Sequence, residues 1–373
     1  MPSKPTNANF DVFIIGAGPA GAAAAISLRE IMPDARVCIA DIEKSTHFRV
    51  GESVPPPIKP FLDHLGVTTA FENAAHNPTF RTLSAWGSSG LESNEFFLHT
   101  YNTGWRLDRA NFDAMLKTEA IRRGTTNISA RAFSLAESPH GWLIDCGNAG
   151  KFSTRYIIDA SGHAAIVSRW LKYAPRKLDR LIGCTVFFEH QTQQPELFDT
   201  EAAVIEACHQ GWWYTAAIPG HRKIAILMTD VDIARQSGIA NMSTWLHYFS
   251  LTKHIKQRIN TRFPLTQPMI LPASSRCFTD TYPPGIIAVG DAISSFDPLS
   301  SQGIVKALRS ALYASYAIAD CYLRNDTMGF SKYFTLMRNE FDNYSLTWQN
   351  YYQREQRWPE APFWQRRHRM KRT

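Results

Sequence analysis

The stretch D-V-F-I-I-G-A-G-P-A-G, residues 11–21, is an apolar run followed by a glycine-rich turn, and the next residues favour a helix. Strand, G-x-G-x-x-G turn and helix, in this order, form the context that a dinucleotide-binding fingerprint requires. Gly16 permits the tight turn, Gly18 lets the backbone approach a pyrophosphate, and Gly21 allows the helix to pack closely on the strand. With Ala20, these glycines begin a helix whose N-terminus stabilises phosphate charge. The stretch therefore predicts a dinucleotide site.

An acidic residue follows at the place where the fingerprint binds a ribose hydroxyl. Residues 37–40 form a second short apolar run, and Asp41 ends it. The fingerprint requires such a residue at the end of the second strand. Asp41 therefore completes the predicted nucleotide site, which a lone glycine pattern would not establish.

Residues 285–303, G-I-I-A-V-G-D-A-I-S-S-F-D-P-L-S-S-Q-G, contain a later apolar strand that ends in Gly290 and Asp291. Here the chain resembles the FAD-dependent hydroxylases and halogenases of the para-hydroxybenzoate hydroxylase type. The resemblance implies that Asp291 meets the ribityl chain of FAD, and that the next helix, at Gly303 and Ile304, points its N-terminus at the flavin ring. The positive end of a helix dipole stabilises the negative charge of a reduced flavin. The two motifs together predict FAD as the cofactor.

Three further segments carry the same resemblance. The turn R-V-G-E-S would place four residues beside the flavin: Arg49, Gly51, Glu52 and Ser53. Arg109, in W-R-L-D-R-A-N-F-D-A-M-L (residues 105–116), would contact the cofactor. Y-I-I-D-A-S-G (residues 156–162) matches the strand and turn usually written D-A-T-G or D-A-S-G. The resemblance extends from residue 10 to about residue 325.

The order of these motifs implies an α/β fold (α+β overall), in which an FAD-binding Rossmann-like domain carries an inserted mixed or antiparallel substrate-side sheet. By resemblance, the FAD-binding domain is discontinuous and comprises residues 8–80, 106–170 and 276–330. The inserted sheet comprises residues 81–105 and 171–275, and its segments 183–189 and 223–229 have the β-branched and aromatic content of strands. Residues 331–373 would form a helical C-terminal segment that ends in a basic tail.

The source of reducing equivalents is constrained by the number of glycine turns. Flavin disulfide reductases carry a second such fold for a resident nicotinamide, whereas this sequence has one G-x-G-x-x-G turn. We therefore expect NAD(P)H to act as a transient reductant or through a separate reductase.

Composition and charge limit the other function classes. Hydrophobic residues make up 44% and charged residues 20% of the 373, as in a soluble globular chain. No apolar run reaches the ~18 residues of a transmembrane helix, so no membrane partner is expected. Six cysteines without a C-x-x-C pair predict neither a metal site nor disulfides, and are typical of the cytoplasm. Much of the net charge of +7 lies in residues 354–373, but nothing resembles a nucleic-acid-binding module.

Halogenases and hydroxylases of this group share their flavin and oxygen chemistry and differ in a lysine, whose neutral amine carries the halogen. N-P-T-F-R-T (residues 77–82) resembles the segment that bears this lysine, but the position holds Arg81, a poor nucleophile. Ser300 stands where tryptophan halogenases have a glutamate, and the motif G-W-x-W-x-I-P is altered to G-W-W-Y-T-A-A-I-P (residues 211–219). These departures favour hydroxylation. Arg81 itself is either a catalytic candidate or an ordinary strand arginine.

Other segments are similar to those of flavoproteins that mature the tryptophylquinone cofactors of partner amino-acid oxidases, such as glycine oxidase and lysine ε-oxidase. They are G-E-S-V-P-P (51–56), S-A-W-G-S (84–88), G-W-W-Y-T (211–215) and the run 351–367. This resemblance implies an FAD-dependent monooxygenase that hydroxylates a peptidyl tryptophan in the precursor of a quinone-cofactor oxidase. The alternatives are a small-molecule aromatic hydroxylase or halogenase, and a non-catalytic maturation chaperone with a vestigial flavin fold.

Aromatic residues are frequent near the C-terminus, with eight between Phe341 and Trp364. Exposed aromatic clusters anchor protein partners, whereas buried ones would pack the C-terminal helix onto the FAD-binding domain. Trp212 and Trp213 are candidates for the substrate channel, with a position in the core as the alternative. Glu52 is a further catalytic candidate, and the sequence identifies no general base.

Overall fold

The computed structural model describes residues 9–42, 48–96, 99–139, 141–189 and 202–369. In chain order the strands are β1 (Asn9–Ile15), β2 (Val37–Asp41), β3 (Ser53–Val54), β4 (Asn77–Thr79), β5 (Arg81–Ala85), β6 (Glu92–Glu95), β7 (Gly104–Arg106), β8 (Thr126–Ser129), β9 (Ser134–Ser138), β10 (Gly141–Asp145), β11 (Lys151–Asp159), β12 (Arg176–Lys177), β13 (Leu181–Glu189), β14 (Ala203–Cys208), β15 (Gly211–Ile218), β16 (Arg222–Asp230), β17 (Met269–Pro272), β18 (Arg276–Cys277), β19 (Ile286–Ala288) and β20 (Ser294–Ser295). The helices are α1 (Pro19–Ile31), α2 (Lys59–His64), α3 (Thr68–Glu72), α4 (Arg109–Arg122), α5 (Ile166–Trp170), α6 (Val231–Ser237), α7 (Met242–Ser250), α8 (Gly303–Arg324), α9 (Met328–Gln353) and α10 (Pro362–His368). Residue 8 of the expected FAD-binding domain and residues 370–373 of the basic tail lie outside the described residues.

The first large sheet has a parallel centre. Strands β8, β2, β1, β11 and β19 run parallel, and β10 and β9 extend the sheet in antiparallel fashion from the first half of β11. Residues 12–15 and 37–40 are buried, as expected for parallel strands that helices cover on both faces. Helix α1 packs against both α4 and α8. The α/β class predicted from the sequence is confirmed by this topology.

The sequence motifs meet at one edge of this sheet. Strands β1, β2, β11 and β19 are parallel, so their carboxyl ends lie on the same side. The glycine turn follows β1, Asp41 ends β2, the D-A-S-G turn follows β11, and Gly290 closely follows β19. Ligands of open α/β sheets bind outside this carboxyl edge. The fold therefore gathers four distant segments at one candidate site.

The second large sheet is mixed, with the strand order β17-β13-β16-β15-β14-β5-β6. Its pairs are antiparallel except β14 with β5, which run parallel. The segments 183–189 and 223–229, predicted as strands, lie in β13 and β16 and pair with each other. Residues 104–106 leave this sheet, because β7 pairs with β3 and β4 in a separate three-stranded sheet. The inserted sheet thus ends before the boundary at residue 105.

The C-terminal aromatic residues form part of the core. Helix α9 begins at Met328, before the expected boundary at residue 331, and α10 follows it. Five of the eight aromatics are buried: Phe341, Trp348, Tyr352, Phe363 and Trp364. Trp348, Tyr352, Phe363 and Trp364 pack with Trp212 and Trp86 against the second sheet, whereas Phe341 packs with Phe296 and Cys277. Because these five residues are buried, the exposed-anchor alternative is wrong for them. The packing alternative is correct in their burial, but four of them pack against the second sheet rather than onto the FAD-binding domain.

The basic tail is also tied to the second sheet. Arg367 is 1% exposed, and its guanidinium lies 2.9 Å from the Asp230 carboxylate at the end of β16. Arg366 pairs with Asp230 and Asp232. The hydrogen bond to Asp232 is the main cause that raises the pKa of Arg366. Burial lowers the pKa of Arg367, but Tyr352 and Asp230 outweigh it, so this pKa is also raised. These two arginines are therefore structural cations rather than a solvated tail.

We expect Arg367→Met to lower the free energy of unfolding by about 3 kcal/mol, because it leaves the buried Asp230 carboxylate without its buried partner. Urea unfolding followed by tryptophan fluorescence measures this change. Arg366→Met is the matched control, since the Arg366 side chain is 40% exposed and an exposed pair contributes about 1 kcal/mol or less. Equal losses in the two variants would contradict the assignment of Arg367 as the buried clamp.

Candidate functional site

The β1–α1 turn is closed where it packs and open where a ligand would approach. Gly16 has a φ of +105°, and a Cβ there would come within 2.6 Å of the Ala160 carbonyl oxygen. A Cβ at Gly21 would lie 1.9 Å from the Gly16 carbonyl oxygen. At Gly18, by contrast, φ is −68° and a Cβ would meet no atom within 4 Å. The turn therefore has room above Gly18 for a phosphate group.

The Gly290–Asp291 segment packs directly on this turn, although some 270 residues separate the two motifs. Gly290 has a φ of +58°, and a Cβ there would lie 3.0 Å from the Ala20 Cβ. Its backbone N–H donates to the Ser310 hydroxyl of α8 at 2.8 Å. The structure thus brings Ala20 and Gly290, both predicted cofactor-binding residues, into contact.

The D-A-S-G turn after β11 forms a third side of the site. Asp159 is buried and accepts hydrogen bonds from the Ser161 N–H at 3.0 Å and the Val167 N–H at 2.8 Å. Burial raises the pKa of Asp159, and these donors oppose the rise. Gly162 has a φ of +65° and open space beyond it, as Gly18 does. Asp159 therefore shapes the turn while the glycine leaves its surface accessible.

The N-terminus of α8 lies next to Asp291 and is accompanied by a lysine that sequence reasoning missed. A Cβ at Gly303 would meet nothing within 4 Å, and Ile304 is buried behind it. Lys306, in the first turn of α8, is 1% exposed, and its Nζ lies 2.9 Å from Asp291 Oδ1. The only sequence signal for it was a lysine within the apolar start of a helix, G-I-V-K-A-L.

Arg109 holds the R-V-G-E-S segment in place. Its Nη1 donates to the carbonyl oxygens of Val50 at 2.6 Å and Gly51 at 3.2 Å. Its Nε lies 3.2 Å from Asp113, and Arg49 reaches the same carboxylate at 2.7 Å. Both arginines, predicted as cofactor contacts, are therefore engaged in building the loop.

Glu52 and Ser53 continue this loop towards the second sheet. Glu52 is 3% exposed and accepts a hydrogen bond from the Gly51 N–H at 3.0 Å. Burial raises the pKa of the Tyr214 phenol on β15 well above its usual value, and the Glu52 carboxylate contributes to the same rise. The structure thus places Glu52 beside Tyr214 rather than beside Arg81 or the two predicted tryptophans.

On the other side of the site, Asp41 lies 4.0 Å from the Lys117 ammonium.

A cavity of about 770 Å³ lies between the second sheet, the turn at residues 296–302, and helices α8 and α9. Proteins commonly bind small molecules in clefts of this size. Its lining includes Thr82, Ser84, Phe296, Asp297, Ser300, Tyr344 and Trp348. Phe296 and Tyr344 stack with ring centroids 4.0 Å apart. Among the described residues that line the cavity there is no lysine.

None of the four catalytic candidates from the sequence, Glu52, Arg81, Trp212 and Trp213, lines this cavity. Successive strand residues point to opposite faces, and Thr82 and Ser84 of β5 face the cavity. The neighbouring Arg81 side chain is 52% exposed and pairs with Glu95 at 3.5 Å. Trp213 packs against Trp245, with ring centroids 5.0 Å apart, in a separate hydrophobic cluster. Strand alternation therefore takes Arg81 and Trp213 away from the cavity, while Glu52 lies outside its lining.

Trp212 is buried in the core, and two hydrogen bonds connect it to Asp297, which lines the cavity. Its indole N–H donates to the Tyr352 hydroxyl at 2.9 Å, and this hydroxyl donates to Asp297 Oδ2 at 2.7 Å. The Trp348 indole N–H donates to the same oxygen at 3.1 Å. Burial raises the pKa of Asp297, and its hydrogen-bond donors oppose the rise. Sequence reasoning missed this network because its members are far apart along the chain.

These features fit a dinucleotide cofactor at the carboxyl edge of the first sheet, with a separate cavity beyond it. Open space at Gly18, Gly162 and Gly303 leaves the edge accessible to a ligand. Within the described residues, no group of three or more His, Cys, Asp or Glu side chains could hold a metal ion. None of the described helices combines the length and the apolar character needed to cross a bilayer.

Comparison with solved structures identifies the fold. The myxobacterial chondrochloren halogenase CndH superposes with a TM-score of 0.86 at 22% identity, over 97% of this chain and 86% of CndH. QhpG, a peptidyl tryptophan dihydroxylase essential for tryptophylquinone cofactor biogenesis, gives a TM-score of 0.73 at 22% identity, over 96% of this chain and 79% of QhpG. At these identities the likeness establishes the fold alone.

Comparison of sequences identifies the family. The sequence model of the tryptophan halogenase family matches residues 11–86 and 87–373. The predicted FAD-dependent oxidoreductase LodB of Marinomonas mediterranea is 32% identical over 369 residues, which cover 96% of this chain and 97% of LodB. Since both matches span nearly the whole chain, this protein belongs to the tryptophan halogenase family of flavin-dependent oxidoreductases.

Proposed function

We propose that this protein is an FAD-dependent monooxygenase that hydroxylates a tryptophan side chain within a partner protein, the precursor of a quinone-cofactor amino-acid oxidase. Family membership supports the flavin chemistry. The structural likeness to QhpG, a peptidyl tryptophan dihydroxylase, supports the choice of substrate class. The observation that carries the proposal is that no lysine lines the cavity within the part of the chain that the structure describes.

The proposed FAD site is the carboxyl edge of the first sheet. Its residues are Gly16, Gly18, Ala20, Gly21, Asp41, Arg49, Gly51, Glu52, Ser53, Arg109, Gly290, Asp291, Gly303 and Ile304. The glycine turn and the N-terminus of α1 would hold the pyrophosphate, and Asp41 would bind a ribose hydroxyl. Asp291 would meet the ribityl chain. When bound and reduced, FAD activates molecular oxygen, with electrons from NAD(P)H at a transient site or from a separate reductase.

The cavity supports oxygen transfer better than halogen transfer. Hydroxylating an indole requires an electron-rich carbon to be held close to the activated oxygen, so positioning supplies much of the rate. The aromatic side chains of Phe296, Tyr344 and Trp348 provide walls against which an indole packs favourably. The volume of about 770 Å³ admits an indole together with neighbouring peptide atoms.

Halogenation is the second candidate, because the family model and the fold of CndH favour it. A halogen relay requires an amine near the substrate, and an arginine stays protonated. Arg81 occupies the sequence position of that lysine, but its side chain lies outside the cavity lining and pairs with Glu95. Ser300, which does line the cavity, replaces the halogenase glutamate. We therefore rank hydroxylation first.

We expect Gly18→Val to fold normally and to bind FAD at least tenfold more weakly than the wild type. The backbone at Gly18 has a φ of −68°, which any residue adopts, and the added side chain enters open space rather than protein. That space is where a pyrophosphate must approach the backbone. Fluorescence titration of the apoprotein with FAD measures the affinity, and thermal unfolding without FAD checks the fold.

The matched control is Gly90→Val. Gly90 also has negative φ and an uncrowded Cβ position, with the Ser88 hydroxyl as the nearest atom at 3.9 Å. It lies between β5 and β6 of the second sheet, whereas the proposed FAD site is at the carboxyl edge of the first sheet. The control variant should bind FAD as the wild type does. Wild-type FAD affinity in Gly18→Val would contradict the placement of the cofactor.

The FAD-loaded protein should add oxygen to one tryptophan of the precursor oxidase and should leave free tryptophan unchanged. The assay supplies NAD(P)H, a flavin reductase, oxygen and bromide, and mass spectrometry of partner peptides locates the modification. Bromide is included because a brominated indole would support the second candidate instead.

Omission of the reductant is the control, since oxygen transfer requires reduced flavin. If the precursor matured equally without reductant but only in the presence of this protein, the non-catalytic chaperone would be supported. Maturation of the precursor in cells that lack this protein would contradict any role in that process. Hydroxylation of free tryptophan would support the small-molecule hydroxylase.

We expect Thr82→Trp to abolish detectable modification of the partner and to retain FAD, because the new indole fills the cavity next to Ser84. Arg81→Trp is the matched control on the same strand. Its side chain points to the other face and is 52% exposed, so modification should continue. Quantitative mass spectrometry compares the two variants at equal FAD occupancy. Loss of activity in Arg81→Trp alone would place the substrate on the opposite face of the sheet.

A further inference from the structure

Lys306 is a buried cation at an unfavourable place in the fold. Its side chain is 1% exposed, and it lies in the first turn of α8. The N-terminus of a helix carries partial positive charge, so a cation there is destabilised. Removing an ammonium group from water adds a further cost. An apolar residue at this position would serve the fold better, which indicates another role for the charge.

Three contacts compensate for this cost. The Nζ atom lies 2.9 Å from Asp291 Oδ1, and it also donates to the Ser294 carbonyl oxygen. The ammonium group sits 4.8 Å from the centroid of the Phe296 ring. The charge of Lys306 is thus directed at Asp291, on the side of the carboxylate that faces α8.

Asp291 is held on one side and open on the other. Its side chain is 43% exposed, and Oδ1 accepts a hydrogen bond from Lys306, whereas Oδ2 accepts none from the described part of the chain. Electrostatic interactions also link the carboxylate to Arg276 and His163. Lys306 therefore orients Asp291 and leaves one oxygen free to accept a hydrogen bond from a ligand at the carboxyl edge.

We propose that Lys306 is a positioning residue that holds the Asp291 carboxylate towards the ribityl chain and balances its charge, so that this ion pair sets the reduction potential of bound FAD. The inference rests on the proposed FAD site. Oxidised FAD takes up two electrons and one proton to become the anionic reduced form, which gains one negative charge. Nearby positive charge stabilises that form, and nearby negative charge destabilises it.

The proposal predicts opposite effects from the two members of the pair. Lys306→Met leaves the Asp291 carboxylate unbalanced, so the midpoint potential should fall. Asp291→Asn leaves the Lys306 ammonium unbalanced, so the potential should rise. The double variant removes both charges and should return towards the wild-type potential. A purely structural pair would weaken FAD binding in both single variants without shifts of opposite sign.

Anaerobic dithionite titration against reference dyes measures the potential of each FAD-loaded variant. We expect Lys306→Met to weaken binding of reduced FAD about tenfold relative to oxidised FAD, which lowers the potential by about 30 mV for two electrons. Asp291→Asn should shift it by a similar amount in the opposite direction. FAD affinity from fluorescence titration provides a second readout and should fall in both single variants. In Lys306→Met the Asp291 side chain is no longer held, and in Asp291→Asn it is no longer charged.

Ser310→Ala is the matched structural control. Ser310 is buried in the same helix and accepts a hydrogen bond from the Gly290 N–H, next to Asp291, but it carries no charge. Its loss should alter the potential far less than either charge change does.

Unchanged potentials, or shifts of the same sign, in variants that bind FAD would overturn the inference and leave the proposed function intact. Failure of the wild-type protein to bind FAD would instead overturn the proposed function. If Lys306→Met does not fold, Lys306→Gln replaces it, and the absence of a rise in Asp291→Asn by itself contradicts the proposal.

Discussion

The close approach of α1 to β1 at the glycine turn is the constraint on which the candidate site depends. Gly21 contacts the Gly16 carbonyl oxygen so closely that no side chain fits between them. The same turn touches the D-A-S-G turn at Ala160 and receives Gly290 against Ala20. Small residues at these points let three parallel strands bring their carboxyl ends together. A larger side chain would separate segments that must act on one cofactor.

The second sheet and the C-terminal helices pack together beside the cavity. Asp297 joins them, because its carboxylate accepts hydrogen bonds from Trp348 and Tyr352 of α9, and Tyr352 accepts one from Trp212 of β15. The buried Arg367–Asp230 pair attaches α10 to the same sheet. The polar atoms of Trp212, Trp348 and Tyr352 are therefore satisfied at Asp297, and the shape of the cavity depends on the docking of residues near the C-terminus.

Much of the first sheet could be predicted, because each motif is local: an apolar strand followed by glycines or an acidic residue is visible within some ten positions. The cavity could not be predicted in this way. Arg81 is adjacent to Thr82, which faces the cavity, and Trp213 is adjacent to Trp212, which belongs to the buried hydrogen-bond network. Because side chains alternate along a strand, both Arg81 and Trp213 point to the opposite face of the sheet. Asp297 could not be predicted as a site residue because its partners Trp348 and Tyr352 are more than 50 residues away along the chain. The pairing of Lys306 with Asp291, 15 residues away, depends on how the turn before α8 folds back onto that helix.

The sequence by itself determined the α/β class, the glycine turn, the Gly290–Asp291 motif and the departures from the halogenase pattern at Arg81 and Ser300. These features depend on residue types at short spacing, because backbone sterics and the charge at helix termini act locally. Only the tertiary structure decided that the C-terminal aromatics are buried, that Arg81 faces away from the cavity, and that Lys306 pairs with Asp291. Such outcomes depend on which face of an element meets its neighbour, and in a strand a shift of one residue in register reverses that face.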